Sequence, residues 1–476
     1  MLLPRSLSIV AMASVATAIK EVPLDESRHS ALYANGLVHQ TIMSNKDAQF
    51  ARQRAAGAYN SAQYQELGYT PCVDGLATAV EGDAMNTFRC NNIDLYHFMS
   101  HADLGSQTGE GASSWGWTSD DSREFIAISQ ADGAAFAEIS PEGKMVYLGR
   151  LPQTSTAEPS IWREIRGYKN FMIIGSEAVD HGIQIFDMSK LLDIDSSSPV
   201  TFNPDEDVTG QYSALPIGRS HNVVINEATN FVYAVGAQPR TDACAAGLIF
   251  IDVSDPANPT SPGCAPEDGY VHDAQCLVYA GPDTRYVDRE ICYGYNEDTL
   301  TIYDVTDKQS PEIVARVSYE GASYTHQGWV LDPMNQEYLL LDDEYDEYDQ
   351  AGIAADGYPV TYIWDIKDLA SPKLTGYYKS GAYGIDHNQY VHDGKTFQSN
   401  YGSGLRILDI SSIPEDPSGA GVHEIGFFDI YPENDAMPNG GDINFEGTWS
   451  SYSYFKSGFI FVNTIERGGF VVKLAS

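Results

Sequence analysis

Four histidines in this chain are each followed by an amide or an acid: His221-Asn222, His272-Asp273, His326-Gln327 and His387-Asn388. Before, between and after them come Glu177, Asn296-Glu297, Asp343-Glu344, Asn400 and Glu466. Brought together, imidazoles and carboxylates suit a divalent cation: the oxygens favour calcium, and added imidazoles favour zinc, manganese or iron. A bound metal could activate water, with Glu297 or Glu344 as general base, which is hydrolase chemistry. The same residues could hold a small polar ligand, or each histidine could be satisfied by hydrogen bonds inside its own structural unit. The sequence has no G-x-S-x-G elbow, H-E-x-x-H helix, P-loop, dinucleotide fingerprint or EF-hand loop, and His423-Glu424 lacks a second histidine.

What must position these residues is a repeat. An apolar-acid-apolar-hydroxyl unit recurs as Ala137-Glu-Ile-Ser140, Phe186-Asp-Met-Ser189, Ile251-Asp-Val-Ser254, Tyr303-Asp-Val-Thr306, Trp364-Asp-Ile-Lys367 and Leu408-Asp-Ile-Ser411, with Val472-Lys-Leu-Ala475 as a degenerate seventh copy. Each ends a β-rich run and precedes a turn, where the acid can accept hydrogen bonds from amides two residues on. Two more strand-like runs lie upstream of each unit, and four short strands repeated seven times make a seven-bladed β-propeller. In that fold the first strand of each blade lines the channel, and its start shares a face with the end of the second strand. The spacing therefore predicts one channel mouth carrying metal-ligand candidates Glu177, Glu297, Asp343, Glu344, His272, His326 and His387. His221, Asp273, Asn296 and Asn400 join the histidines there as candidate ligand-binding residues.

The seventh copy lacks a fourth strand, and Asn92-Ile-Asp-Leu-Tyr-His-Phe-Met99 has the alternation to supply it and close the ring. The chain so divides into an export segment (1–18), a non-repeating extension (19–90) and the propeller (91–476). In the extension, 44–64 reads as one helix packed outside the propeller, with Asn45 or Asp47 as caps. The first eighteen residues have the Arg5 n-region, apolar core and Ala16-Thr-Ala18 site of a signal peptide. Six cysteines in an exported chain predict disulfides, paired between sequence neighbours as Cys72–Cys90, Cys244–Cys264 and Cys276–Cys292. With 66 acidic against 28 basic residues the net charge is −38. Such a balance opposes binding to nucleic acid or anionic membranes.

Several segments, Ser114-Trp-Gly-Trp117, Gly269-Tyr-Val-His-Asp-Ala-Gln-Cys276, Arg289-Glu-Ile-Cys-Tyr293, Tyr324-Thr-His-Gln-Gly-Trp329, Asp386-His-Asn388 and Asn400-Tyr-Gly-Ser-Gly-Leu-Arg406, carry a family resemblance. From about Cys72 onward the chain resembles the choice-of-anchor B family, whose propeller is built from LVIVD-type repeats. The resemblance implies an exported propeller held to cells by varied anchors, with no established common activity. This sequence departs in having no recognisable anchor or membrane span, so the expectation is a protein released to the medium. The reading is a secreted, non-enzymatic binding or structural protein whose partner is a small polar ligand or an extracellular protein. The alternative is a metal-dependent hydrolase or other enzyme with its site at the channel mouth.

Overall fold

Short runs rich in β-branched and aromatic residues become strands because such side chains pack well on a pleated surface. A computed structural model describes residues 19–475, in which these runs form seven small sheets arranged as the blades of a propeller. The expected export segment lies outside the described residues. The innermost strands are Gly111–Thr118, Arg163–Tyr168, Asn222–Asn226, Asp273–Val278, Thr325–Val330, Asn388–His392 and Thr448–Tyr452, in blades one to seven. Each touches the next around a central channel. Their packing is tight: a Cβ at Gly116 of blade one would lie 2.2 Å from the Tyr452 ring of blade seven.

The repeated acids do what the turns require. Asp187, Asp252, Asp304, Asp365 and Asp409 each accept a hydrogen bond from the backbone N–H two residues on, at 2.8 to 3.1 Å. Glu138, at the corresponding place in blade one, pairs with Arg123 instead.

Blade seven contains Thr448–Tyr452, Ile460–Thr464 and Gly468–Leu474, and its outer strand is Ile93–Ser100, antiparallel to Gly468–Leu474 along the length of both. Phe98 packs on Phe470 with ring centres 4.5 Å apart. The ring is thus closed by the strand that precedes it in sequence. The three disulfides are Cys72–Cys90, Cys244–Cys264 and Cys276–Cys292. Cys276 and Cys292 face each other in register on neighbouring strands of blade four.

The extension departs from expectation. Its helix spans Leu37–Ala56, not 44–64. Gly36 and Gly57 bound it, both in the left-handed region at φ 77° and 81°. The Gly57 N–H closes the C-terminus on Gln53 and Arg54 carbonyls, as glycine at that position commonly does. Asn45 and Asp47 are interior to the helix and cap nothing. Nor does the helix pack outside the propeller: His39, Ile42, Lys46, Gln49 and Phe50 form one buried face that lies over the channel mouth. Other parts of the extension clip onto blades: Glu21–Val22 pairs with the outer strand of blade four, and Thr87–Asn91 with that of blade six.

The closure is testable by truncation. A chain starting at residue 61 keeps the Ile93–Ser100 strand and should unfold cooperatively, whereas one starting at residue 101 exposes an unpaired edge and should aggregate. Equal thermal stability of the two in calorimetry would refute the closing role of that strand.

Candidate functional site

Residues at the start of the inner strands meet around the channel, and the four histidines form a continuous arc. Ring centres are 4.2 Å apart for His221 and His272, 4.2 Å for His272 and His326, and 4.7 Å for His326 and His387. Trp449 continues the arc 5.0 Å from His387, Trp162 lies 5.4 Å from Trp449, and His221 lies 6.1 Å from Trp162. Six blades therefore contribute an aromatic ring, and blade one contributes Ala112. The two tryptophans lie outside the histidine pattern of the sequence, although Trp162-Arg-Glu164 and Trp449-Ser-Ser451 align with it on the repeat.

Three of the four histidines bond across blades, where one sequence expectation is bonding within each blade; His326 Nδ1 lies nearest Asp342 of its own blade, at 3.4 Å. His272 Nδ1 meets the His326 carbonyl at 3.0 Å, His387 Nδ1 the Trp449 carbonyl at 2.7 Å, and His221 Nδ1 the Glu177 carboxylate at 2.5 Å. Each contact crosses to an adjacent blade. The arc is an inter-blade clasp.

Lys46 reaches down from the helix into this mouth. Its ammonium donates to both Glu344 oxygens at 2.5 and 2.6 Å, and lies 4.6 Å from the centre of the Phe445 ring and 5.4 Å from that of Trp162. The Tyr401 hydroxyl donates to the same carboxylate. His39 Nδ1 pairs with the Tyr324 hydroxyl at 2.9 Å, and Phe50 packs on Trp162. One donor each from His326, Glu344 and His387 lie within 4.8 Å of one another, a spacing that fits a metal ion. The Lys46 ammonium already pairs with the Glu344 member of that group, so a divalent cation would have to compete with it for the carboxylate.

The remaining sequence candidates do not reach that centre. Glu297 is held by two hydrogen bonds from Arg240, at 2.9 and 2.7 Å. Asp343 accepts from the Tyr319 hydroxyl and from the backbone N–H groups of Ser323, Tyr324 and Tyr345, and so shapes its own loops. Glu177 pairs with Arg219 as well as His221. Asn296 donates to Asp268 and to the Tyr303 hydroxyl inside blade four. Glu466 accepts from the Gly447 N–H in blade seven. Neither general-base candidate is free, since Glu297 and Glu344 each have both oxygens engaged by a cation.

Below the arc lies a small cavity of about 20 Å³, bordered by Glu164, Asn222 and Asn388, enough for roughly one water. Glu164 is in turn paired with Arg166, whose Nη1 lies 2.7 Å from it and donates to the Tyr390 hydroxyl at 2.5 Å, with Nη2 3.8 Å from Asp273. Beyond Arg166 the channel widens into a funnel of about 780 Å³. Trp115, Trp329, His392, Tyr452 and Tyr454 line it, and Glu227, Asp332 and Asp393 stand exposed at its rim. The open mouth is the one opposite the histidines.

Burial dominates the protonation of this channel. It pushes His221 and His387 down to about 4 and His272 and His326 well below the ordinary imidazole range, so all four are neutral at pH 7. Burial also raises Glu164 to about 7 and Asp273 to about 6, against the opposing charge of Arg166. Burial lowers Lys46, and its Glu344 partner opposes that shift.

No family model matches this chain, and neither does any curated protein. Among solved structures, the computationally designed Ika8 protein is similar over 86% of this chain and 96% of that one, at 10% identity and a TM-score of 0.41. A likeness that low carries no argument about function.

Two outcomes follow from the plug. Lys46→Met leaves Glu344 buried without a countercharge and should cost about 3–5 kcal/mol, most of which Lys46→Met combined with Glu344→Gln should recover. Urea denaturation decides it, and a double variant no more stable than the single one would remove the ion pair from this role. Secondly, the four arc histidines bind protons more readily unfolded than folded, so their contribution to stability falls as pH falls from about 6.5 toward 4. Their imidazole NMR resonances should stay unmoved between pH 7.5 and 5.5. Midpoints near 6.5 would mean that the helix does not keep them dry.

Proposed function

We propose that this chain is an exported binding protein of the choice-of-anchor B type, and that its ligand enters the funnel opposite the plugged mouth. The observation that carries this reading is the funnel itself. Its volume of about 780 Å³ falls within the ~300–1,000 Å³ of small-molecule sites. Two tryptophans and two tyrosines give it stacking faces, and Arg166 and Gln275 put polar groups among them. The Arg166 charge is already answered by Glu164 and Asp273, so it exerts little pull on an anion. The acidic rim and the net charge of −38 act against anions too. The ligand class that fits is a small, neutral or cationic molecule with a flat apolar face, stacking on Trp115 or Trp329. Three disulfides and, among the described residues, no helix long and apolar enough to cross a membrane agree with this setting. Secretion itself is part of the proposal.

A fragment screen by ligand-observed NMR tests it. Neutral and cationic aromatic fragments should bind and anionic ones should not. Trp329→Ala should weaken the hits by about 1–2 kcal/mol while leaving the melting temperature near that of the parent. Fragments that bind equally well to Trp329→Ala, or a screen with no aromatic hits, would overturn the assignment of the funnel.

A further inference from the structure

His326, Glu344 and His387 are arranged as metal ligands, which neither the clasp nor the funnel requires. Each offers an atom within 4.8 Å of those of the other two. His326 Nε2 stands 4.0 Å and His387 Nε2 3.8 Å from a Glu344 oxygen, both beyond hydrogen-bond reach. A metal-ligating histidine almost always turns its other ring nitrogen to a carbonyl or a carboxylate, which fixes the tautomer. His387 is so arranged, because its Nδ1 lies 2.7 Å from the Trp449 carbonyl. A carbonyl oxygen only accepts, so the proton of the neutral ring sits on Nδ1 and leaves a lone pair on Nε2. His326 has Asp342 beside its Nδ1, at 3.4 Å, and Glu344 is steadied by the Tyr401 hydroxyl. Zinc bonds of ~2.0–2.1 Å put tetrahedral ligands roughly 3.4 Å apart, so each imidazole needs to close on Glu344 by less than an ångström. The small cavity borders both histidines and has room for the water that completes such a site.

Lys46 holds Glu344 instead, and the helix that brings it has the make-up of a latch. Of its buried residues only Ile42 and Phe50 are apolar. The rest of its hold is polar: His39 on the Tyr324 hydroxyl, Gln49 on the Phe445 carbonyl at 3.0 Å, Gln53 on Glu446 and Arg54 on Glu110. Few buried apolar contacts mark a segment that opens locally. Gly36 and Gly57, both at positive φ, bound the helix and can absorb the backbone rotation that a swing needs. We propose that His326, Glu344 and His387 form a latent zinc site, which the extension helix keeps closed by seating Lys46 on Glu344 and opens when it is displaced. Two imidazoles and one carboxylate suit zinc or a neighbouring transition metal, and not calcium, which takes oxygens alone. Three protein ligands leave one coordination position open, as in catalytic zinc sites. The funnel at the other mouth plays no part in this.

The experiment uses the full-length protein stripped with EDTA and titrated with zinc chloride, read by calorimetric titration and by thermal melting. Lys46→Met removes the competing cation and should bind one zinc at least about tenfold more tightly than the parent. Zinc should also bring its melting temperature back toward the parental value. Even an outer-shell partner is worth ten- to hundredfold to a metal site, so adding His387→Ala to Lys46→Met should weaken zinc at least about tenfold. Adding Glu344→Gln should weaken it as much, although that second change is the one expected to recover stability without metal. Zinc affinity and stability then move in opposite directions, which a merely structural ion pair would not produce. The proposal is overturned if Lys46→Met binds zinc no more tightly than the parent. It is equally overturned if the gained affinity survives both His387→Ala and Glu344→Gln, which would put the ion elsewhere on this acidic protein. Should Lys46→Met fail to fold in EDTA, Lys46→Gln, which keeps a donor for Glu344, carries the same measurements.

Discussion

A ring of seven sheets has one seam where the chain must meet itself, and everything else in this protein depends on that seam holding. Here the strand Ile93–Ser100 is laid antiparallel on Gly468–Leu474, so residues hundreds of positions apart share one blade. Left open, the last blade would present an unpaired edge and the inner strands would lose their seven-way contact. Phe88 and Phe98 both pack on Phe470, which adds apolar burial to the ladder hydrogen bonds. The extension strengthens the ring further out by adding strands to blades four and six.

Closure places the same position of every blade at one height in the channel, and that is why four histidines and two tryptophans form a single arc. The Nδ1 contacts of His221, His272 and His387 run from blade to blade, so the arc resists the blades' separation. The helix then seals this mouth, inserting Lys46 against Glu344. Because water is excluded, the imidazoles are neutral and the ion pair is strong only while both partners stay. Sealing one mouth leaves access to the other, where the tyrosines and tryptophans of the inner strands are displayed.

An acidic protein must also dispose of acids in its interior, and two solutions occur side by side. Glu344, Glu297 and Glu177 are each paired with a cation, Lys46, Arg240 and Arg219. Asp343 is surrounded by backbone N–H groups and a tyrosine hydroxyl, which favour its charged form, although burial raises it to about 6 overall. Asp386 and Glu347 have neither.

Strand repeats, turn aspartates, the closing strand and the pairing of neighbouring cysteines were all legible in the sequence. Each rests on local pattern: alternation, a side chain reaching its own backbone two residues away, or two cysteines on successive strands. Convergence of the histidines followed once the repeat was recognised. The helix departs from the expectation because its boundaries turn on Gly36 and Gly57, and because its buried face carries His39, Lys46 and Gln49, which read as solvated. Lys46 in such a helix reads as a solvated charge, and nothing near it in sequence points to Glu344, 298 residues away. Likewise Glu297 and Asp343 have the right spacing for the channel mouth, but Arg240 and the loop amides claim them first. The fold and the position of the arc are repeated locally and so are written in the sequence; which mouth is sealed and which acids lack a partner depend on single long-range contacts, which only the tertiary structure decides.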